Sequence, residues 1–438
     1  MTYQEAVNYL NSFINYEKKI DYPYSKKVFD LGRINLLLEK LGNPHKGIKF
    51  IHIAGSKGKG SVACLCASIL KESGLKVGLY TSPHLETFRE RIRVNDELIS
   101  KDDVTELIQL MKPSIEEINS LTFFEVYTAL AFLYFKKQGI DLAVIEVGLG
   151  GRLDATNVIE PEVVCISPLS FEHTQKLGNT LESIAREKSA IIKKNTTVVC
   201  APQAEEALKV IKEKAAEEQV PLYIVGKDIL YQALACNDEN QTFKLKAINQ
   251  EYDSLEINLL GEHQIINAAC AVAAVEALSK RINNININEG LIKKGLSSSH
   301  WPGRLEVVAR NPLIVLDGAQ NVASAQALIK ALKRHFSYKN LVLVLGISKD
   351  KSIAGIVKVL EGEAQKVIIT RANLARAAEP EVIASFFKQR EEIKITHSVN
   401  EAVSLARKEA EKDDLIIICG SLFVIAEARK TLGLAKGD

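Results

Sequence analysis

The stretch FIHIAGSKGKGSVACLCASIL, Phe50 to Leu70, decides the reading of this chain. An apolar run of strand length passes into Gly55-Ser56-Lys57-Gly58-Lys59-Gly60-Ser61 and then into an Ala-rich segment of helical character. Glycines let a backbone close around phosphate oxygens, and the helix that follows presents unpaired N–H groups and the positive end of its dipole. Lys59 has the reach for β- and γ-phosphates, and Ser61 supplies a hydroxyl beside a bound nucleotide. The spacing departs from the usual G-x-x-x-x-G-K-[ST] pattern, because the first glycine is displaced and Gly60 stands between Lys59 and Ser61. A tight strand-to-helix turn is the simpler alternative. Against it, two lysines crowded among three glycines repel, and an anionic partner offsets that repulsion.

Outward from this loop, strand-like and helix-like runs alternate. FIHIAG, KVGLYTS (from Lys76), DLAVIEVG (from Asp141), VVCISPL (from Val163) and TTVVCAP (from Thr196) are each followed by segments of helical period. This pattern predicts βαβ units and a mostly parallel sheet. Between Ile224 and Leu260 the texture turns to polar alternation, as in TFKLKAI and SLEINLL, which predicts antiparallel strands; an Ala-rich helix follows over 261–280. At GLSSSHWPGR (295–304) both periodicities break. The alternation then restarts in LIVLDGA, LVLVLGI, KVIIT, IKITHS and LIIICGS. The expectation is an α/β protein with a P-loop-type, mostly parallel ATPase domain over 1–296 and a smaller Rossmann-like α/β domain over 297–438.

The 438 residues carry 56 Lys+Arg against 54 Asp+Glu, a net charge of +2, with 47% hydrophobic and 25% charged residues. These values predict a folded globular chain and exclude wholesale disorder. They leave no bulk basic footprint for nucleic acid. Any interest in anions is local. The start MTYQEAVNYLNSF lacks a signal-peptide pattern, and no apolar run approaches the ~20 residues of a membrane helix. Seven cysteines are scattered, mostly in apolar stretches such as those of Cys165, Cys200 and Cys419, and they read as small core residues of a cytoplasmic protein.

Further chemistry lies in DLAVIEVGLGGRLDATN, Asp141 to Asn157. Glu146 ends a near-continuous apolar strand, at the ligand edge of a parallel sheet, where a carboxylate suits Mg²⁺. The alternative is a carboxylate capping the next helix. Asp154 equally fits an N-cap. His173, in FEHTQKLG, follows a strand and sits on no amphipathic face, while Lys188, in REKSAII, reads from its own surroundings as solvated helix surface or as a functional amine.

Taken together and in order, these pieces resemble one family. The chain resembles the Mur ligase superfamily, in its folylpolyglutamate synthase and dihydrofolate synthase branch. The resemblance spans essentially the whole chain. It rests on the phosphate loop, YTSPHL (80–85), FRERI (88–92), TFFE (122–125), EVGLGGRLDATN, EHT with REKSAII, GEHQIINAA (261–269), WPGRLE (301–306), LDGAQN (316–321) and GSLFVIAE (420–427). YTSPHL with FRERI belongs to the folate branch. The resemblance implies ATP-dependent addition of L-glutamate to dihydropteroate, reduced folates or both, through an acyl phosphate. The alternatives are a monofunctional folylpolyglutamate synthase or a Mur-type ligase for another acid.

By the same resemblance, Ser82 and Glu146 match ligands of a first Mg²⁺, and His173 matches a ligand of a second. Lys188 matches a lysine that the family carbamylates. Asn267, Arg304 and Asp317 match nucleotide contacts that join the phosphate loop, with Arg304 and Asp317 supplied by a C-terminal glutamate-ligase domain. Thr122, Phe123, Phe124, Glu125, Leu153, Asp154 and Ala155 match contacts to the pterin side of the substrate. A monomer without a nucleic-acid or membrane partner is implied. Three positions depart from the pattern: Lys57 in place of Asn, Glu172 in place of Asp, and Gln320 in place of His. Gln320 hydrogen-bonds but carries no charge, so it is left out of the site.

Overall fold

The structure, a computed structural model, describes residues 1–17, 22–25, 28–282, 285–388 and 393–435. The first apolar run forms β1 (Lys49–Ala54), and it is followed in chain order by β2 (Val77–Tyr80), β3 (Ile92–Val94), β4 (Glu97–Leu98), β5 (Leu142–Glu146), β6 (Val163–Ile166), β7 (Thr197–Cys200) and β8 (Leu222–Ile224). They assemble into one sheet in the order β4-β3-β2-β5-β1-β6-β7-β8. From β2 to β8 the pairings are parallel, while β3 runs antiparallel to β2 and β4 antiparallel to β3. β1 is central, and its period of two divides its side chains between two cores. Ile51 and Ile53 face the helices Lys59–Glu72 and Glu262–Arg281, whereas Phe50 faces the helix Phe123–Gln138. Both faces are apolar because helices cover both.

The polar alternation becomes an antiparallel three-stranded sheet, β9 (Leu230–Cys236), β10 (Gln241–Lys246) and β11 (Glu251–Ile257). It begins a little later than the residue texture predicts, since Leu222–Ile224 still pairs parallel to β7. The Ala-rich stretch is the helix Glu262–Arg281, whose small side chains let it lie close against the main sheet.

The second large sheet contains β12 (Glu306–Arg310), β13 (Leu313–Leu316), β14 (Leu341–Leu345), β15 (Lys366–Ile369), β16 (Ile393–Ile395) and β17 (Leu415–Cys419), in the order β12-β13-β17-β14-β15-β16. Only β12 is antiparallel to its neighbour. Cores of its own lie on both faces. Cys165, Cys200 and Cys419 are buried in the three strands that carry them, as their apolar settings predict. Among the described residues, no helix is long and apolar enough to cross a membrane.

Several helix starts are closed by side-chain caps. Thr122 and Thr180 close their helices with capping boxes, and Asn321 does the same for Val322–His335. The helices Lys59–Glu72 and Glu262–Arg281 start at Gly58 and Gly261 with no side-chain cap. Both uncapped ends open on the same cavity.

Candidate active site

That cavity has a volume of about 1280 Å³ and lies beyond the carboxyl ends of β1, β5 and β6, bounded on its far side by residues of the second sheet. Open α/β sheets bind ligands at this edge.

The phosphate loop is shaped by contacts that only glycine permits. At Gly58, φ is +80°, and a Cβ would stand 2.3 Å from Asn267 Oδ1. At Gly55 it would stand 1.8 Å from Ser167 Oγ. The amides of Ser56 and Lys57 both donate to the Pro168 carbonyl, which ties the loop to the end of β6. Lys59 lies at the open helix end with Nζ 4.0 Å from Glu146 Oε1. Ser56 to Ser61 line the cavity; Gly55 lies behind them, and its carbonyl accepts a 2.8 Å hydrogen bond from Lys188 Nζ.

Glu146 ends β5 and is almost wholly buried. Its Oε2 accepts the Ser82 amide at 3.0 Å, so these two residues, distant in sequence, stand side by side. Burial raises the Glu146 carboxyl above its usual range, and the positive charges of Lys59 and Arg304, with the Ser82 N–H, oppose that rise. Glu146 is therefore no helix cap. Lys188, in the last turn of Leu181–Ser189, is buried rather than solvated. Burial, reinforced by the charge of Lys59, pushes its ammonium down to about 7.

His173 holds a left-handed backbone conformation, φ +52°, at the start of a short helix. Burial pushes its imidazole down to about 4. Beside it, Glu172 pairs with Lys57 at 3.2 Å. Burial acts to raise the Glu172 carboxyl, but Lys57, Lys59, His173 and Lys188 outweigh it and hold it at about 2. Two departures from the family pattern, Lys57 and Glu172, are thus partners. Lys57 and Lys59, with Arg304 acting on Glu146, bring positive charge to the cavity wall beside Glu146 and Glu172, a setting suited to a polyphosphate.

Facing the loop, Asn267 Oδ1 abuts Gly58, and its Nδ2 donates to Gln264 at 2.8 Å. Asp317, just after β13, accepts the amides of Leu305 (2.9 Å) and Ala319 (2.8 Å); burial raises its carboxyl above the usual range, and the charge of Arg304 opposes that rise only in part. Asn267, Arg304 and Asp317 all line the cavity, and so does Gln320.

Thr122, Phe124, Glu125, Leu153, Asp154 and Ala155 line another lobe. Thr122 and Glu125 also cap each other across their helix start, and Glu125 forms a buried pair with Arg33 at 3.0 Å. Phe123 is not among the lining residues. It points into the core and stacks on Tyr127 with centroids 5.4 Å apart. Adjacent helical positions are rotated by about 100°, so of the two phenylalanines only Phe124 meets the cavity. Asp154 caps the turn Ala155–Val158 while lining the lobe.

Residue patterns alone left out several lining groups. Tyr16, Tyr22, Tyr24 and Phe29 form an aromatic wall, with Tyr16 and Tyr22 centroids at 4.6 Å and Lys176 Nζ 3.4 Å from the Tyr22 centroid. The density of aromatics in 16–29 was the available signal. Arg91, in FRERI, is buried over the rings of Phe123 and Tyr127. It pairs with Glu17 at 2.9 and 2.7 Å and donates Nε to His84 Nδ1 at 2.9 Å. From the loops that follow β14 and β15, Asp350, Lys351 and Arg376 reach the cavity, and Arg376 donates to the Glu17 carbonyl at 2.9 Å.

A phosphate loop on a parallel sheet, facing a second α/β sheet across a shared cavity, defines a P-loop nucleotide-binding protein built from two α/β units. Residues 53–275 match the Mur ligase middle domain, and residues 303–422 match the Mur ligase, glutamate ligase domain. The chain belongs to the Mur ligases and, within them, to the folylpolyglutamate synthase/dihydrofolate synthase family. It is 34% identical over 411 residues to the dihydrofolate synthase/folylpolyglutamate synthase of Bacillus subtilis, covering 92% of this chain and 94% of that protein. It is 36% identical to a probable bifunctional folylpolyglutamate synthase/dihydropteroate synthase of Haloferax volcanii; there the match covers 98% of this chain but spans about half of the relative's length (50%). Among solved structures, Mycobacterium tuberculosis folylpolyglutamate synthase complexed with ADP and AMPPCP superposes with a TM-score of 0.87 at 29% identity, covering 93% of this chain and 96% of that one.

Proposed function

We propose that this ATP-dependent ligase joins the amine of L-glutamate to the carboxylate of dihydropteroate, of reduced folates, or of both. The observation that carries the reading is the single cavity, which connects the phosphate loop, the lobe of Phe124 and the aromatic wall, and the cationic edge of the second sheet. Three reactants fit that arrangement: ATP at the loop and at Asn267, Arg304 and Asp317, the ring end of the acid in the aromatic lobe, and glutamate toward the second sheet. The acid carboxylate attacks the γ-phosphorus and ADP leaves. The glutamate amine then attacks the acyl carbon, and inorganic phosphate departs with the C–O bond electrons. Lys59 and the open helix end stabilise charge on the transferring phosphoryl group, and the walls hold the carboxylate in line with it.

The donor set at the end of β5 suits Mg²⁺, because the buried Glu146 carboxylate beside Ser82 offers hard oxygens. Magnesium there would neutralise phosphate charge and orient the γ-phosphate. A second position, at His173 and Lys188, becomes a cation site only when the amine is carbamylated. Among the described residues, no three His, Cys, Asp or Glu side chains converge there to replace it. The buried amine is neutral in substantial fraction near pH 7, the form that adds to CO₂. We take the ATPase and glutamate-ligase units to divide near Ser297, and the protein to act as a cytoplasmic monomer.

The reading is tested by ADP release. With ATP, Mg²⁺ and L-glutamate, release requires dihydropteroate or tetrahydrofolate. Equal release without either, or with a UDP-muramyl acid alone, overturns it. Comparison of the two acids separates a bifunctional from a monofunctional enzyme.

A further inference from the structure

His52 is a buried polar residue that the reaction above does not use. It sits in the middle of β1, in register with Ile145 of β5 and Val164 of β6, with no solvent exposure. Its Nε2 lies 2.9 Å from Thr156 Oγ1, and Thr156 Oγ1 lies 2.5 Å from Asp154 Oδ1. Asp154 also accepts the amides of Thr156 at 3.0 Å and of Leu149 at 2.8 Å. This set consists entirely of donors. Burial raises the Asp154 carboxyl above its usual range and these donors oppose the rise; only the ionised form accepts from all of them, because a carboxyl proton would turn a donor against a donor.

The direction of the chain follows. The hydroxyl has one proton, which goes to Asp154, so Thr156 accepts from His52, and the imidazole proton resides on Nε2. Nδ1 of His52 has no hydrogen-bond partner among the described residues, so the tautomer is dictated from one side only. Burial, with the Lys193 ammonium nearby, keeps the ring neutral.

The far end of this relay is the cavity wall. Asp154 grips the Leu149 amide and so fixes the glycine-rich loop 148–153. At Gly148 a Cβ would stand 2.5 Å from the Phe124 ring, and at Gly151 2.6 Å from the Glu187 carbonyl. The Arg152 amide donates to that same carbonyl at 2.9 Å. The loop therefore meets Phe124 on one side and the helix of Lys188 on the other.

We propose that His52 is a positioning residue: through Thr156 it holds Asp154 in an acceptor-only state, and Asp154 holds the 148–153 loop where it walls the acid-substrate lobe. The inference rests on the proposed acid-ligase function, and it deepens it by naming a residue inside the sheet that sets substrate fit without touching substrate.

Thr156→Val keeps the shape and removes the hydroxyl, while Thr156→Ser restores it. Loss of a hydrogen bond to a charged group corresponds to about a ten- to hundredfold effect. Thr156→Val and His52→Phe are expected to raise KM for the acid by that factor, with KM for ATP within about twofold of wild type and recovery in Thr156→Ser. Equal rises in both KM values, an unchanged KM for the acid, or no recovery in Thr156→Ser overturns the inference. Independently of folding in the variants, ¹⁵N NMR of the wild-type His52 ring is expected to show the Nε2–H tautomer at pH 7. An Nδ1–H tautomer or an imidazolium overturns the relay. If wild-type protein shows no acid-dependent ADP release, the proposed function fails instead, and the tautomer still decides the relay.

Discussion

Lys188 Nζ lies 2.8 Å from the carbonyl oxygen of Gly55, the first glycine of the phosphate loop. A buried amine is thereby joined to the backbone of the glycine-lysine loop, and Lys59 adds a repulsive charge nearby. Carbamylation would reverse the charge at this point.

Lys188→Ala is accordingly expected to lower kcat by ~10²–10³, with partial return when short carboxylates such as acetate or formate are added. Steady-state ADP release, with and without the added acid, measures this. Full activity in the variant would remove the carbamate from the mechanism.

Phe123 and Phe124 are neighbours with opposite duties. Phe124→Ala is expected to raise KM for the acid substrate with a small effect on stability, because its ring lines the cavity. Phe123→Ala is expected to cost about 3–5 kcal/mol, since its ring packs in the core on Tyr127. Urea denaturation and substrate titration on the two variants separate these roles.

Gly58→Ala places a Cβ against Asn267 at a backbone angle of +80°. Either the loop or Asn267 must shift, and both line the cavity. The expected result is a fall of at least about tenfold in kcat/KM for ATP, equivalent to about 1.4 kcal/mol. Steady-state ADP release against ATP concentration checks it.

Arg91→Ala leaves Glu17 and His84 without their buried partner. Because the Glu17 side chain keeps 35% exposure and can be hydrated, the loss is expected to fall below the ~3–5 kcal/mol of a fully buried pair, and Arg91→Lys is not expected to restore it, because an ammonium cannot match the two-pronged fork geometry. Chemical denaturation measures both.

The buried ring of His52 makes stability depend on acidity. In the unfolded chain His52 takes up a proton near pH 6.5, and in the folded protein only near about 3. Between those values the unfolded state binds more protons, so stability falls as pH drops, at up to about 1.4 kcal/mol per pH unit. His52→Phe removes this contribution. Its stability is expected to fall less steeply than that of wild type between pH 6 and 4, as read by denaturation at each pH.

Much of the architecture is legible from local pattern. The central parallel strands of the two large sheets follow apolar runs, whereas the antiparallel edge strands β3, β4 and β12 lie outside them; the glycine-lysine loop announces its own chemistry, because spacing along a chain directly sets which groups share a turn. Lys188 shows where this stops. Its REKSAII context reads equally well as solvated surface, and its depressed ammonium arises from burial against Gly55 and Lys59, which no local window contains. The Lys57–Glu172 pair is similar: two departures from the family pattern turn out to be one contact at 3.2 Å.

By itself, the amino-acid sequence determined the alternation of strand and helix, the phosphate-binding loop, and the family through its ordered motifs. Only the tertiary structure decided which residues face the shared cavity, why Phe124 and not Phe123 meets it, and how His52 reaches Asp154 through Thr156. The reason is physical. Periodicity and turn chemistry act over a few residues, whereas burial, electrostatic shifts and hydrogen-bond direction depend on groups that folding brings within about 3–4 Å of one another.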